Sequence, residues 1–269
     1  MRARGLVVLI AMGTPGGCSY VASPESLLDP DVISIAIVLA AGESQAHLLA
    51  GSPHLGRFDP PPKVTAGLIG PGWRAEFTQE TDPKDGCGGG PTDWPIPKVC
   101  LKAVLPEPIR EQVAYKLVGK GPKGSFTGET VVPSAPLILE PRDTVWLPDS
   151  TNVARIPIRY RAPPEVGTMR PEVFRTDGNG TGTESGWIRV LPRTLNPEGH
   201  DTAVWEYTLR LQWASLHVLG IGQHYTHFWK LRGGSGLWPK TGISGKGVYG
   251  YFDGSARSRP IRILLDNGG

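Results

Sequence analysis

Val64-Thr-Ala-Gly-Leu-Ile-Gly70-Pro-Gly-Trp73-Arg-Ala-Glu-Phe77 is the stretch on which the fold turns. Val64, Ala66 and Leu68 run into Gly70-Pro71-Gly72, after which Trp73, Ala75 and Phe77 alternate with Arg74 and Glu76. A period of two on both sides of a Gly/Pro turn predicts a β-hairpin with one buried face. The same grammar recurs outward from it. Ile33, Ile35, Ile37 and Leu39 alternate with Ser34, Ala36 and Val38, and Ala154, Ile156, Ile158 and Tyr160 alternate with Arg155, Pro157 and Arg159. Pro157 cannot donate to a ladder, which predicts an edge strand there. Trp205, Tyr207, Leu209, Leu211 and Trp213 form the longest alternation. At ~3.4 Å per residue it would span about 30 Å, so a bend or bulge is expected inside it.

Composition agrees with this reading. Of 269 residues, 36 are Gly and 27 are Pro, too many breakers for a helical bundle, while 39% are hydrophobic, too apolar for disorder. One segment departs from strand periodicity: within Leu216–Leu231, Tyr225, Phe228, Trp229 and Leu231 have helical spacing, and a short helix near 222–231 ended by Gly233-Gly234 is expected. The fold class is therefore all-β: two Ig/fibronectin-like β-sandwich domains in tandem, with one short helix in the second. Pro133, Pro136 and Pro141 mark the junction, giving residues 31–138 and 139–266 as the two units.

The N-terminus predicts export. Arg2 and Arg4 precede a seven-residue apolar run, Leu6–Met12, too short to span a ~30 Å hydrocarbon core. Small residues then lead to Cys18, so residues 1–17 are expected to be a signal peptide and residues 18–30 a tether. Gly16-Gly17-Cys18 resembles the end of a bacterial lipobox, with Pro15 standing where an aliphatic residue is usual. Acylation of Cys18 would account for the odd cysteine of three. The other two, Cys87 and Cys100, flank a Gly/Pro-rich loop and are expected to close it as a disulfide. Loss of residues 1–17 removes two arginines and no acid, lowering the formal charge from +3 to +1 and leaving no electrostatic footprint for nucleic acid.

Together with Ile33–Gly42, Pro61–Phe77, the cysteine pair with Leu105-Pro106, Gly128–Pro133, Tyr225–Trp229 and Gly247–Phe252, these features form a pattern across most of the mature chain. The chain resembles a large family of bacterial envelope lipoproteins of unknown function, often encoded beside TonB-dependent receptors. The resemblance implies two β-sandwich-like domains at the outer membrane, and it brings no catalytic residues with it.

Gly119-x-Gly121-x-x-Gly124 has the letters of a dinucleotide loop, but that site needs a following helix to hold the pyrophosphate. Ser125–Val132 reads as a strand, so a hairpin turn is expected. Asp177, Asn179 and Thr181, with Glu184, resemble the start of a calcium loop, yet position twelve is Ile188 rather than a bidentate Glu. His224 and His227 would share a helix surface as two metal ligands could, but a site needs more partners than His217 alone. Trp94 and Trp238 lie in Pro/Gly-rich loops and are candidate ligand contacts for a glycan or peptide.

The expected function is that of a non-enzymatic, lipid-anchored envelope protein, an accessory binding or assembly subunit of an outer-membrane transport-type complex. It would need no cofactor. A carbohydrate- or peptide-binding module using the loop tryptophans is the alternative. A hydrolase is the third reading, and a cleft holding His217, His224 or His227 beside a carboxylate would favour it.

Overall fold

The computed structural model describes Asp29 and residues 31–52, 62–80, 98–148, 153–177, 180–184, 189–190, 194–195, 201–208, 213–232 and 239–266. The first strands are β1 Ile33–Ala40, β2 Gln45–Gly51, β3 Thr65–Gly70, β4 Trp73–Glu76, β5 Thr78–Gln79 and β6 Lys98–Val104. Next come β7 Ala114–Gly121, β8 Gly124–Val131, β9 Leu137–Glu140, β10 Thr144–Pro148 and β11 Val153–Arg161. They are followed by β12 Val166–Asp177, β13 Gly180–Glu184, β14 Arg189–Val190, β15 Thr194–Leu195, β16 Asp201–Thr208 and β17 Trp213–Gly222. A helix, α1 Gln223–Arg232, precedes β18 Lys240–Thr241, β19 Ile243–Gly245, β20 Val248–Arg257 and β21 Ile261–Asp266.

The protein is all-β, with two Ig-like sandwiches and, among the described residues, one short helix. In the first, the sheet β19-β8-β7-β3-β4 faces β20, β1, β2 and β6. Ile33, Ile35, Ile37 and Leu39 point from β1 into that core, meeting Leu68, Leu117 and Phe126. In the second, β9, β11 and β16 face β17 and β21 across Ile138, Ile156, Ile158, Leu216, Val218, Ile261 and Ile263. These are the alternating residues of each strand, buried because the pleat sends every second side chain to the same face.

The hairpins read from sequence form as expected. Gly70 pairs with Trp73, and Gly121 pairs with Gly124. The glycine-rich letters at 119–124 are thus a two-residue turn between β7 and β8. Gly119 is required by packing, since a β-carbon there would run into the Phe126 ring and lie 2.6 Å from the Thr65 carbonyl. At the entry to the sandwich, Asp29 is ion-paired with Lys123 of the same turn. Pro157 lies opposite Val204 on one side, while β9 reaches β11 only from Arg159 onward. β11 is thus not the edge strand expected, since it lies between β16 and β9; among the described residues, β9 pairs with it only beyond Pro157, so the missing N–H falls outside that stretch of ladder.

Two further expectations are modified. The alternation from Trp205 to Trp213 is divided: Trp205 and Tyr207 belong to β16 and Trp213 to β17, which lie in different sheets. The break anticipated from length is thus a passage from one sheet to the other. Secondly, the two sandwiches are not consecutive segments. Residues 243–255 lie inside 139–266, yet β19 pairs with β8, and β20 runs parallel to β1 from Ile33↔Val248 to Ala40↔Ser255. A parallel partner cannot come from a hairpin, so it has to be brought back by a long crossover.

β20 then continues into the second sandwich. Its end pairs with β17 at Leu219↔Arg257, and β21 resumes the same edge at Leu216↔Ile261. Ser258 holds the offset, its hydroxyl accepting from the Val218 N–H at 2.8 Å while its own N–H donates to the Val218 carbonyl. One eleven-stranded sheet consequently passes through both sandwiches.

Candidate ligand-binding cleft

α1 has no acid in its first turn. The N–H of Tyr225, in that first turn, is served from outside, by Asp253 of β20. Asp253 is 1% exposed. Oδ2 accepts from the Tyr225 N–H at 2.7 Å, and Oδ1 accepts from the Gly254 N–H at 2.8 Å and the Thr130 hydroxyl at 3.3 Å. Burial pushes this carboxyl above its ordinary range, against the opposing pull of those donors and of the nearby His224. Gly222, the residue before the helix, leaves room for the carboxylate where a side chain would stand.

The helix is held down by aromatic contacts. Phe228 is fully buried and packs with Tyr251, ring centroids 4.9 Å apart, while Tyr225 meets Tyr251 edge-on at 5.3 Å. Ala36 and Leu49 complete this cluster from β1 and β2. β1 is therefore covered on both faces, by the first core on one side and by α1 on the other.

The opposite side of α1 borders a cleft of about 420 Å³, walled by β8 and by β18–β19. His224, His227, Lys240, Glu129, Thr127 and Ser244 line it. Its floor is Gly242, at φ +69°, where a β-carbon would lie 2.8 Å from the His224 ring and 2.5 Å from the Phe252 carbonyl. The Lys240 ammonium is fixed on two sides. It donates to the Gly245 carbonyl at 2.5 Å and lies 4.8 Å from the centre of the Tyr249 ring. Burial pushes its pKa down. Glu129 is already matched by Lys116 at 2.9 Å, and Thr127 and Ser244 exchange a hydrogen bond at 3.0 Å.

The sequence-predicted site residues distribute as follows. His224 and His227 both line the cleft, as does Glu129, whose carboxylate is paired with Lys116. His217 does not join it: its Nδ1 lies 3.2 Å from the Ser258 carbonyl, on β17. Asp177, Thr181 and Glu184 fall on the β12–β13 hairpin, with Asp177 opposite Gly180 but Glu184 opposite Val173. Among the described residues, no group of three or more His, Cys, Asp or Glu is placed to hold a metal. Cys100 lies on β6 opposite Leu49. Cys18, Cys87, Trp94, Asn179 and Trp238 lie outside the described residues.

Three residues escaped sequence reading. Asp253 is the sole acid in Val248-Tyr-Gly-Tyr-Phe-Asp-Gly-Ser-Ala-Arg257, and a lone carboxylate in an aromatic strand was the available signal. Lys240 gave none, because the cleft it lines is completed by β8 and α1, while its own contacts, the Gly245 carbonyl and the Tyr249 ring, form no motif. Trp146, 64% exposed on β10, was legible in the alternation of Val145 and Leu147 against Thr144 and Trp146.

No family model and no curated protein matches the chain. Among solved structures it is similar to the N-terminal Ig1-2 module of the Drosophila receptor protein tyrosine phosphatase DLAR, at 12% identity and TM-score 0.30, covering 92% of this chain and 98% of that one. It is also similar to the tandem Ig repeats of Dlar, at 12% identity and TM-score 0.27, with 92% and 97% covered. A chimeric titin Z1Z2–Z1Z2 tandem gives 11% identity and TM-score 0.22, with 93% and 100% covered. At these scores the likenesses carry no functional argument.

Proposed function

We propose that the protein is an exported, non-enzymatic envelope protein, anchored by a lipid on Cys18 and acting through its surface. In this reading it is an accessory binding or assembly subunit of an outer-membrane transport-type complex, as the resemblance to envelope lipoproteins implies. The observation that supports it is Trp146. β10 is the last strand on its side of the eleven-stranded sheet among the described residues, and it carries an indole turned to solvent. A strand edge with unpaired backbone groups beside a large exposed aromatic suits docking by strand addition. The rigid sheet behind it would hold that edge at a set orientation to the tether. The expected Cys87–Cys100 staple belongs to the same reading.

Crosslinked pull-down from detergent-solubilised envelopes, with wild-type protein and Trp146→Ser in parallel, tests the role. One stoichiometric outer-membrane partner captured by the wild type and lost from the variant is the expected result. Recovery of the protein alone, with fatty-acid label on Cys18, would sink the assembly role while leaving the anchor intact.

A further inference from the structure

We propose that the open end of the first sandwich binds a fatty-acid carboxylate, with its chain between the two sheets and its head at Lys63 and Lys120. A pocket of about 740 Å³ lies there, lined from β3 and β7 of one sheet and from β5 and β6 of the other. That volume falls within the range of about 300–1,000 Å³ that small-molecule sites occupy. The opening follows from the way the chain changes sheets. β4 pairs with β3 as far as Glu76, whereas Thr78 and Gln79 already pair with Lys102 and Leu101 of β6. Phe77 makes the crossing, and it joins Val99 and Leu101 of the first core and the adjoining Val64 as the apolar lining. Gly121 keeps the β7 wall clear, since a β-carbon there would lie 2.6 Å from the Ile33 side chain. Pro62 and Pro122 bring no backbone N–H to the lining, so these positions add no main-chain donor to it.

The charge around this apolar lining has one sign. Lys63 and Lys120 both border the pocket and are exposed, and neither has an ion-pair partner among the described residues. The described lining contains no acid. Strand register gathers the two cations: Lys120 lies opposite Thr65, and Lys63 precedes Thr65 by two residues. The acids of neighbouring segments are committed elsewhere, Asp29 to Lys123 and Glu80 to Lys102. An inorganic anion would gain little from exposed lysines alone, because solvent screens such pairs. An uncharged hydrocarbon would leave both cations unused. A single chain ending in a carboxylate satisfies both features: the chain leaves water, while the head stays hydrated beside two ammonium groups. The pocket is on the first sandwich, whereas Trp146 is on β10, so binding here does not depend on docking there.

Isothermal titration of the purified full chain with sodium laurate, kept below its micellar concentration, tests this against dodecyltrimethylammonium and butyrate. Saturable binding of laurate is expected, with dodecyltrimethylammonium weaker by about tenfold or more and butyrate giving no heat. Decanoate should bind about tenfold more weakly than laurate, the loss of two buried methylenes. Lys63→Gln/Lys120→Gln should weaken laurate binding by about three- to tenfold, as the loss of two exposed charge contacts does. Both lysines are exposed, so circular dichroism should show the variant folded. Lys230→Gln, on α1, serves as the control and should leave affinity unchanged. No saturable binding of laurate, equal binding of the cationic amphiphile, indifference to chain length, or full laurate affinity in the folded double variant would overturn the proposal.

Discussion

The Asp253 carboxylate occupies the space that a β-carbon on Gly222 would need. This single juxtaposition joins β20, which completes the first sandwich, to the start of the helix that roofs it. Gly222→Ala should force the carboxylate off the helix N-terminus and destabilise the protein by about 1–3 kcal/mol, as overpacking of a filled site does. Urea denaturation of the purified chain measures this. Asp253→Ala combined with Gly222→Ala should cost less than the sum of the two singles, and strict additivity would refute the contact.

Asp253 also sets a pH dependence. Burial raises its folded-state pKa above the ordinary 3.8, so in that interval the folded protein holds a proton that the unfolded chain has released. Stability must then fall as pH rises from about 3.8 through the raised value, and level off above it. Asp253→Asn should abolish this slope. It should also cost about 1–3 kcal/mol throughout, because an amide can accept through one oxygen only and leaves a buried N–H unserved. Denaturation midpoints taken over stepped pH values give both results, and a slope retained in the variant would count against the assignment.

Phe228 tests how α1 is held. It is fully buried against Tyr251, and truncation to Ala should cost about 3–5 kcal/mol. Near-ultraviolet circular dichroism should lose intensity as the aromatic cluster loosens, with the strand signal in the far ultraviolet preserved. Cores remote from the helix, such as that of Ile156 and Ile263, should keep their amide-exchange protection.

Gly119→Ala probes the first sandwich alone. The added carbon would press on the Phe126 ring and lie 2.6 Å from the Thr65 carbonyl, wedging β3, β7 and β8 apart. A loss of about 1–3 kcal/mol is expected. An unchanged urea midpoint would mean that Phe126 has another place to go.

The Cys87–Cys100 closure predicts a stability loss of ~3 kcal/mol in the Cys87→Ser/Cys100→Ser double variant, from the added freedom of the unfolded loop. The wild type under reducing conditions should match the variant. If reduction has no effect on the wild type, the staple is absent.

How far the sequence could be read follows from the range of the interactions involved. β1, β3, β4, β7 and β8 are legible because their large apolar residues recur with a period of two and their turns are marked by local Gly and Pro. α1 was legible from the spacing of Tyr225, Phe228 and Trp229, and the glycines at 119–124 were correctly assigned to a turn because no helix follows them. In contrast, neither the return of β20 to lie parallel to β1 nor the division of residues 205–213 between two sheets was visible. Strand partners separated by more than two hundred residues leave no trace in local alternation. The same holds for the cleft: His224 and His227 are a local pair on one helix, whereas Lys240 and Glu129 border it from other strands.

By itself, the sequence determined the class of structure: alternating apolar strands, breaker-rich turns and one aromatic helix allow little besides packed β-sheets. Tertiary structure alone decided that one sheet runs through both sandwiches, that Asp253 serves a helix to which it is not adjacent in sequence, and that two histidines, a lysine and two hydroxyls border a single cleft. The physical reason is that alternation records only which face of a strand is buried. Which strand lies beside it is settled by the free energy of closing the whole core.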